Sequence, residues 1–340
     1  MDIVGKNLQE LEEFMLENGQ SKFRAKQVYN WIYLKSVSSY DEMTDLPLVA
    51  RDLLKEKTTL CSISIKDKQV SKDGTMKFLF ELKDGSFAEA VLMRFDNRAN
   101  LTACISTQVG CPMGCTFCAT AKLGFKRNLD VEEIIQQIFL IQADTGLKVT
   151  NIVYMGQGEP LLNFDNLIGS IKIFREQFQI GARRITVSTC GLIPQINKLA
   201  NLDFQSTLAI SLHAPNQSVR QEIMPVAKKY EFSDLISCLK KYTEKTGRRV
   251  TVEYVLMKDI NDSIDAAKEL AYAIAKLKSN VNLIVYNQNE KSPYKKPSKE
   301  NVLKFKYILE ASGKKVTVRL ERGADIDAAC GQLASKAKKN

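Results

Sequence analysis

Along the first sixty residues apolar positions recur at helical spacing. Leu8, Leu11, Phe14 and Met15 fall on one face, and Phe23, Val28, Trp31 and Ile32 mark a second segment, "KFRAKQVYNWIYLK". This predicts a small helical accessory domain over residues 1–60. The period then drops to two: Met76, Phe78, Phe80 and Leu82 alternate in "TMKFLFEL", and a "KDG" turn leads into "SFAEAVLM". That pattern predicts a β-hairpin extension within 61–98. From about residue 100, short β-branched runs alternate with longer helical stretches: "LTACIS", "TNIVYM", "RITVS", "TLAISL", "VTVEYVL", "VNLIVY" and "KVTVRL". Seven strands separated by helices predict parallel βα units over 99–340, arranged as a barrel or as a doubly wound sheet.

The loops discriminate between those two arrangements. "GCPMGCTFC" follows the first strand, "GQGEP" the second, "STCG" stands at the third, "SLHAP" at the fourth, "YNQNE" at the sixth and "ERGADIDAACGQ" after the seventh. Barrel enzymes gather their sites from loops at the C-terminal ends of many strands, whereas a doubly wound sheet concentrates them at a crossover point. The expected fold is therefore α/β, a partial (β/α) TIM-like barrel carrying an N-terminal helical domain and a hairpin extension.

At 340 residues with 44% hydrophobic and 26% charged positions, the chain has the composition of a globular protein with a large core. Its start, "MDIVGKNLQELEEF", is acidic and amphipathic where a signal peptide is cationic and then apolar. No run approaches the roughly 18 apolar residues of a membrane span, so a cytoplasmic location is expected. The net charge of +10 is uneven, since residues 286–340 hold 13 Lys and Arg against 6 Asp and Glu. Such a bias suits a polyanionic partner such as nucleic acid, or else a solvated lysine-rich surface.

Four of the eight cysteines, Cys104, Cys111, Cys115 and Cys118, fall within fifteen positions, while Cys61, Cys190, Cys238 and Cys330 are scattered. In a reducing compartment clustered cysteines serve as metal ligands or redox groups more often than as disulfides. Cys111, Cys115 and Cys118 form C-x3-C-x2-C, with Gly110 and Gly114 allowing a tight loop. A structural zinc site needs a fourth ligand. The sole histidine, His213, is a hundred residues away, and Cys104 remains available. A cubane iron–sulfur cluster held by three cysteines keeps one iron open to substrate. Spacing alone leaves both readings standing. Taken singly, Cys330 reads as a small buried hydrophobe, Glu89 as a strand-edge charge and His213 as a core histidine.

Together these residues carry a resemblance. C-x3-C-x2-C followed by an aromatic and, after a strand, by a Gly-Glu-Pro loop resembles the radical S-adenosylmethionine superfamily. The whole chain, from "FRAKQVYNWIY" and "DEMTDLP" through "STQVGC" to "DIDAACGQL", resembles the RlmN/Cfr family of adenosine methyltransferases. The resemblance implies a [4Fe-4S] cluster on Cys111, Cys115 and Cys118, and two S-adenosylmethionine molecules per turnover. Cys330 matches the family's S-methylcysteine intermediate, Cys104 the thiol that resolves the covalent adduct through a transient disulfide, and Glu89 the proton acceptor. Gly158, Glu159, Ser188, Ser211, Leu212, His213 and Asn287 match its S-adenosylmethionine contacts. The implied substrate is 23S rRNA, with tRNA as a second one as in some relatives. The implied partner is an electron donor such as flavodoxin or ferredoxin; a monomer is the default expectation for the oligomeric state. Carbon 2 of adenine is electron-poor and has no lone pair to attack a methylsulfonium, so a radical route is chemically needed.

Pro160 in "GEPLLN" and Arg322 in "RGADIDAACG" resemble the branch that methylates carbon 2; the alternative is the Cfr-type branch, which methylates carbon 8 and confers antibiotic resistance. Gln157 replaces a common Met, Cys190 replaces a usual Ser, and "YNQNEKSPYKKPS" lacks the family's Asn-Pro and glycine. A different class, a non-catalytic RNA-binding protein with a structural metal loop, predicts a colourless zinc protein that needs neither Cys104 nor Cys330.

Overall fold

The structure is a computed structural model, and it describes residues 1–94, 100–288, 292–319 and 321–334. The lysines of the last five residues, the end of the 61–98 extension and part of "YNQNE" lie outside these described residues.

Three helices open the chain: α1 (Leu8–Glu17), α2 (Lys22–Tyr33) and α3 (Leu48–Lys57). Asn7 starts α1 through a reciprocal cap with Glu10, which satisfies backbone N–H groups that a helix start leaves unpaired. Leu11 and Met15 are fully buried as their spacing predicts, as are Val28 and Ile32 of α2. Phe23 departs from the expected face. It is 64% exposed in the first turn of α2, where the packed stripe runs instead through Ala25, Val28, Ile32 and Tyr33. Tyr33 meets Phe178 edge to face, and the Tyr29 hydroxyl lies 2.6 Å from Oε1 of Gln177. The helices therefore share one hydrophobic core with the rest of the molecule.

The expected hairpin is a three-stranded meander. β1 (Ser64–Val70), β2 (Met76–Glu81) and β3 (Phe87–Arg94) are antiparallel, and β3 pairs antiparallel with β4 (Leu101–Cys104), which starts the parallel sheet. β1 escaped the sequence reading because "SIKDKQV" is polar and half-exposed along its length. A small hairpin follows, β5 (Gln108–Gly110) with β6 (Phe125–Asn128), flanking the cysteine loop.

The remaining elements alternate as the seven predicted runs require: α4 (Val131–Thr145), β7 (Asn151–Tyr154), α5 (Phe164–Glu176), β8 (Ile185–Thr189), α6 (Ile193–Leu199), β9 (Thr207–Ser211), α7 (Gln217–Ile223), α8 (Phe232–Thr246), β10 (Val250–Leu256), α9 (Ile264–Ala273), β11 (Ser279–Val285), α10 (Lys299–Ala311) and β12 (Lys315–Arg319). The sheet order is β1-β2-β3-β4-β7-β8-β9-β10-β11-β12, and every pair from β4 to β12 is parallel. Strands therefore neighbour one another in chain order without the reversal of a doubly wound sheet. Side chains from β7 through β12 face one common cavity, so the sheet curves around it as a barrel left open between β12 and β4. No described helix is long and apolar enough to cross a membrane.

Candidate active site

The C-terminal ends of the parallel strands deliver the unusual loops to one end of the barrel. The cysteine loop leaves β5 at Gly110, whose φ is +74°. A Cβ there would stand 1.9 Å from the Gly124 carbonyl oxygen, which accepts the Cys111 N–H at 2.8 Å. Only glycine lets these two backbones close, and their closure turns the loop inward. Cys111, Cys115 and Cys118 then line a cavity of about 940 Å³, open mouth included, with Gly158, Glu159, Ser188, Ser211, His213, Glu253 and Arg319 around it.

Burial pushes the Cys111 thiol up to about 12, and it pushes Cys115 higher still, each reinforced by the other cysteines of the loop. These thiols ionise only when a cation takes the proton's place. Among the described residues no three His, Cys, Asp or Glu side chains are close enough to share a single ion. Three thiols around one cavity instead suit a cluster whose several irons spread the ligands apart and leave one iron open.

Opposite the loop, Glu159 is buried, and its carboxylate accepts N–H bonds from Cys190 at 2.7 Å and Leu161 at 3.0 Å. Burial raises its pKa while those donors oppose the rise. Gly158 has φ +101°, and a Cβ there would stand 2.6 Å from the Gln108 side chain, so glycine is needed to seat the loop on Gln108. The Ser188 and Ser211 hydroxyls approach to 3.4 Å on neighbouring strands. His213 has φ +57°, and its Nδ1 accepts the Val255 N–H at 3.1 Å. That bond leaves Nε2–H as a donor, and burial holds the ring neutral with a pKa near 3. Leu212, by contrast, does not reach the cavity. Its side chain is fully buried, its N–H donates to the Glu253 carbonyl and its carbonyl accepts from Arg220.

A second cavity adjoins the first and holds both remaining cysteines of interest. Cys104, Cys330, Asn287, Arg319 and Arg322 line it, with Val91 and Met93 of β3 opposite. Cys104 is buried and pushed up to about 12 by desolvation and by Cys330, while Arg319 pulls it back. Cys330 is exposed, on a segment tied down at several points. The Asn287 amide donates to the Cys330 carbonyl at 3.3 Å, the Ala119 N–H to the Gly331 carbonyl at 2.7 Å, and the Thr120 hydroxyl to the Leu333 carbonyl at 2.8 Å. Further back, Asp73 in the β1–β2 turn accepts the Gly323 N–H at 3.1 Å, and Asp325 accepts the Ser71 hydroxyl at 2.5 Å. Asn287 thus faces the cysteine cavity and not the one that holds Ser188 and His213.

Glu89 lines neither cavity. It lies one pleat from Val91 on the same face of β3, buried, with Lys77 Nζ 3.5 Å from its carboxylate. Gln157 and Ser106 pin its backbone at both N–H and carbonyl.

Sequence reasoning missed Glu253 and Arg319. Both sit on strands, with Arg319 Nη1 3.8 Å from the Glu253 carboxylate and 3.4 Å from Met155 Sδ. A charge inside an apolar strand, as in "VTVEYVL" and "KVTVRL", was the available signal, since such a residue must face a cavity or a partner. Lys77 in "TMKFLFEL" carried the same signal, whereas Asp73, in a turn, left no comparable trace.

The site and the partial barrel define a radical S-adenosylmethionine enzyme, and comparison agrees. The model of the radical SAM superfamily matches residues 105–271, and that of the ribosomal RNA large subunit methyltransferase N-terminal domain matches residues 1–60. The crystal structure of a radical SAM methyltransferase from Sphaerobacter thermophilus superposes with a TM-score of 0.93 at 41% identity, covering 99% of this chain and 100% of the other. A probable dual-specificity RNA methyltransferase RlmN of Alkaliphilus oremlandii is 48% identical over 100% of this chain and 99% of its own length. Its namesake in Staphylococcus saprophyticus is 45% identical, covering 97% of this chain and 92% of its own. The chain belongs to the RlmN family of radical S-adenosylmethionine RNA methyltransferases, whose cofactors are a [4Fe-4S] cluster and S-adenosylmethionine.

Proposed function

We propose that this enzyme methylates carbon 2 of an adenosine in 23S rRNA, and of an adenosine in tRNA, through a methyl group carried on Cys330. One observation carries the reading: Cys104 and Cys330 share a cavity that opens beside the one lined by Cys111, Cys115 and Cys118, with Cys118, Arg319 and Cys330 in both walls. When bound, the cluster supplies the electron that cleaves S-adenosylmethionine to an adenosyl radical.

The protein's own residues do the rest. Glu159, Ser188, Ser211 and His213 orient S-adenosylmethionine in the larger cavity, and a second molecule of it has already methylated Cys330. Asn287 and the Ala119–Gly331 bond present Cys330 to the base. The adenosyl radical would take a hydrogen atom from the Cys330 methyl, so that this carbon can join carbon 2 of the base. The ring would then give up one electron, returned to the cluster that supplied it, and its carbon 2 proton, which Glu89 takes as its pairing with Lys77 loosens on base entry. The Cys104 thiolate then attacks the Cys330 sulfur. An S–S bond forms, the carbon–sulfur bond breaks, and its electron pair stays with the carbon, which takes a proton to become the methyl group. A reductant returns the disulfide to two thiols.

The helical domain 1–60 and the basic C-terminal segment within 99–340 would grip the RNA, with the meander of 64–94 between them in the chain. The first test is nucleoside mass spectrometry of protein-free large-subunit rRNA after anaerobic incubation with the cluster-loaded enzyme, S-adenosylmethionine and a reductant. The expected product is 2-methyladenosine. An 8-methyladenosine product, or none from enzyme with a full cluster, overturns the assignment.

A further inference from the structure

Arg220, on α7, is the largest completely buried side chain among the described residues. Its Nη2 donates to the Cys190 carbonyl at 2.6 Å and the Ser211 carbonyl at 3.4 Å, and its Nε to the Leu212 carbonyl at 3.2 Å. These bonds tie the ends of β8 and β9 together, which is a structural role. They do not neutralise the charge. Among the described residues no carboxylate pairs with its guanidinium within 4.0 Å, and Nη1 is buried with no hydrogen-bond partner. The nearby Glu159 carboxylate is spent on the N–H of Cys190, so the Cys190 peptide stands between the two charges.

A guanidinium stays protonated, and burying such a charge unpaired costs several kcal/mol or more. A fold that retains one needs negative charge close by. The groups that feel the Arg220 charge include His213 and the sulfurs of Cys115 and Cys190, and Cys115 belongs to the C-x3-C-x2-C loop. The loop is also joined to α7 directly, through the Thr116 N–H to the Ile223 carbonyl at 3.0 Å. A cluster held by three thiolates is an anion, and it gains a further negative charge when reduced.

We infer that Arg220 is the buried counter-charge of the iron–sulfur cluster, a positioning residue that stabilises its reduced state. This rests on the cluster reading of Cys111, Cys115 and Cys118. A cation in a low-dielectric surround favours the more negative oxidation state, so Arg220 raises the reduction potential and eases the electron entry that starts each turnover.

The test is an anaerobic redox titration of the cluster followed by electron paramagnetic resonance, on wild type, R220M and R220K. At the wild-type midpoint, R220M should show a reduced-to-oxidised ratio about tenfold lower, equivalent to about 59 mV for a one-electron couple. R220K keeps the charge and should stay within about twofold of wild type. Equal potentials in wild type and R220M overturn the inference, as does a tenfold fall in R220K, which decides the matter even where R220M does not fold. A second readout is the stability gained on loading the cluster. That gain should be smaller in R220M, whereas carbonyl-bonding alone would shift apo and loaded proteins equally. Wild-type protein that binds no cluster at all would instead sink the cluster reading.

Discussion

His213 shows how one side chain can be committed by its surroundings. With Nδ1 accepting from the Val255 backbone and the ring wholly inside the protein, the neutral form is enforced. The unfolded chain binds a proton below about 6.5, and the folded one only near 3. Stability is therefore fully present above the unfolded value and drains as pH falls through that window. His213→Gln should flatten the fall, by a few kcal/mol between pH 7 and 4, as read by urea unfolding at stepped pH. Cys104 is committed differently. Its buried thiol, pushed up to about 12, makes the thiolate scarce at rest, and the charge of Arg319 and the Met155 N–H oppose that. Cys104→Ala should leave RNA covalently attached at Cys330, visible as a protein–RNA band on a denaturing gel. Free, normally methylated RNA from that variant would refute its resolving role.

The meander β1-β2-β3 matters as an element more than its polar edge suggested. Its first turn grips the chain 250 and 254 residues on, through Asp73 with Gly323 and Ser71 with Asp325. The segment that carries Cys330 is thus held at its start by the extension and at its end by Thr120, beside the cysteine loop. Asp73→Ala removes one of these ties. It should raise tryptic cleavage after Arg322 several-fold while S-adenosylmethionine binding, read by calorimetry, stays within about twofold. Unchanged proteolysis would mean the turn does not restrain the segment.

The whole molecule presents a charge of +10 and an open-sided barrel to its substrate. Binding led by phosphate contacts releases counterions, so RNA affinity should fall about 10³-fold or more between 50 and 200 mM salt if six or more phosphates are neutralised. A filter-binding series checks this, and a flat salt response would point to recognition by base stacking instead. In the proposed reaction the target adenine must be unpaired or flipped to reach Cys330, whose cavity lies between the β3–β4 side of the sheet and the last described residues of the chain.

Periodicity and loop placement alone determined the seven parallel strands, their barrel order and the end at which the site lies, because side-chain alternation and βα connection rules act over short stretches of chain. The C-x3-C-x2-C loop was legible for the same reason: its cysteines are neighbours in sequence. What depended on distant contacts was not. Phe23 proved exposed because tertiary packing chose another stripe of α2, and Leu212 proved buried because its strand end turned into the core. Asn287 was drawn toward Cys330 by a bond across 43 residues. The roles of Arg319, Glu253 and Arg220 depend on which buried charges face one another, and only the folded chain brings those charges together.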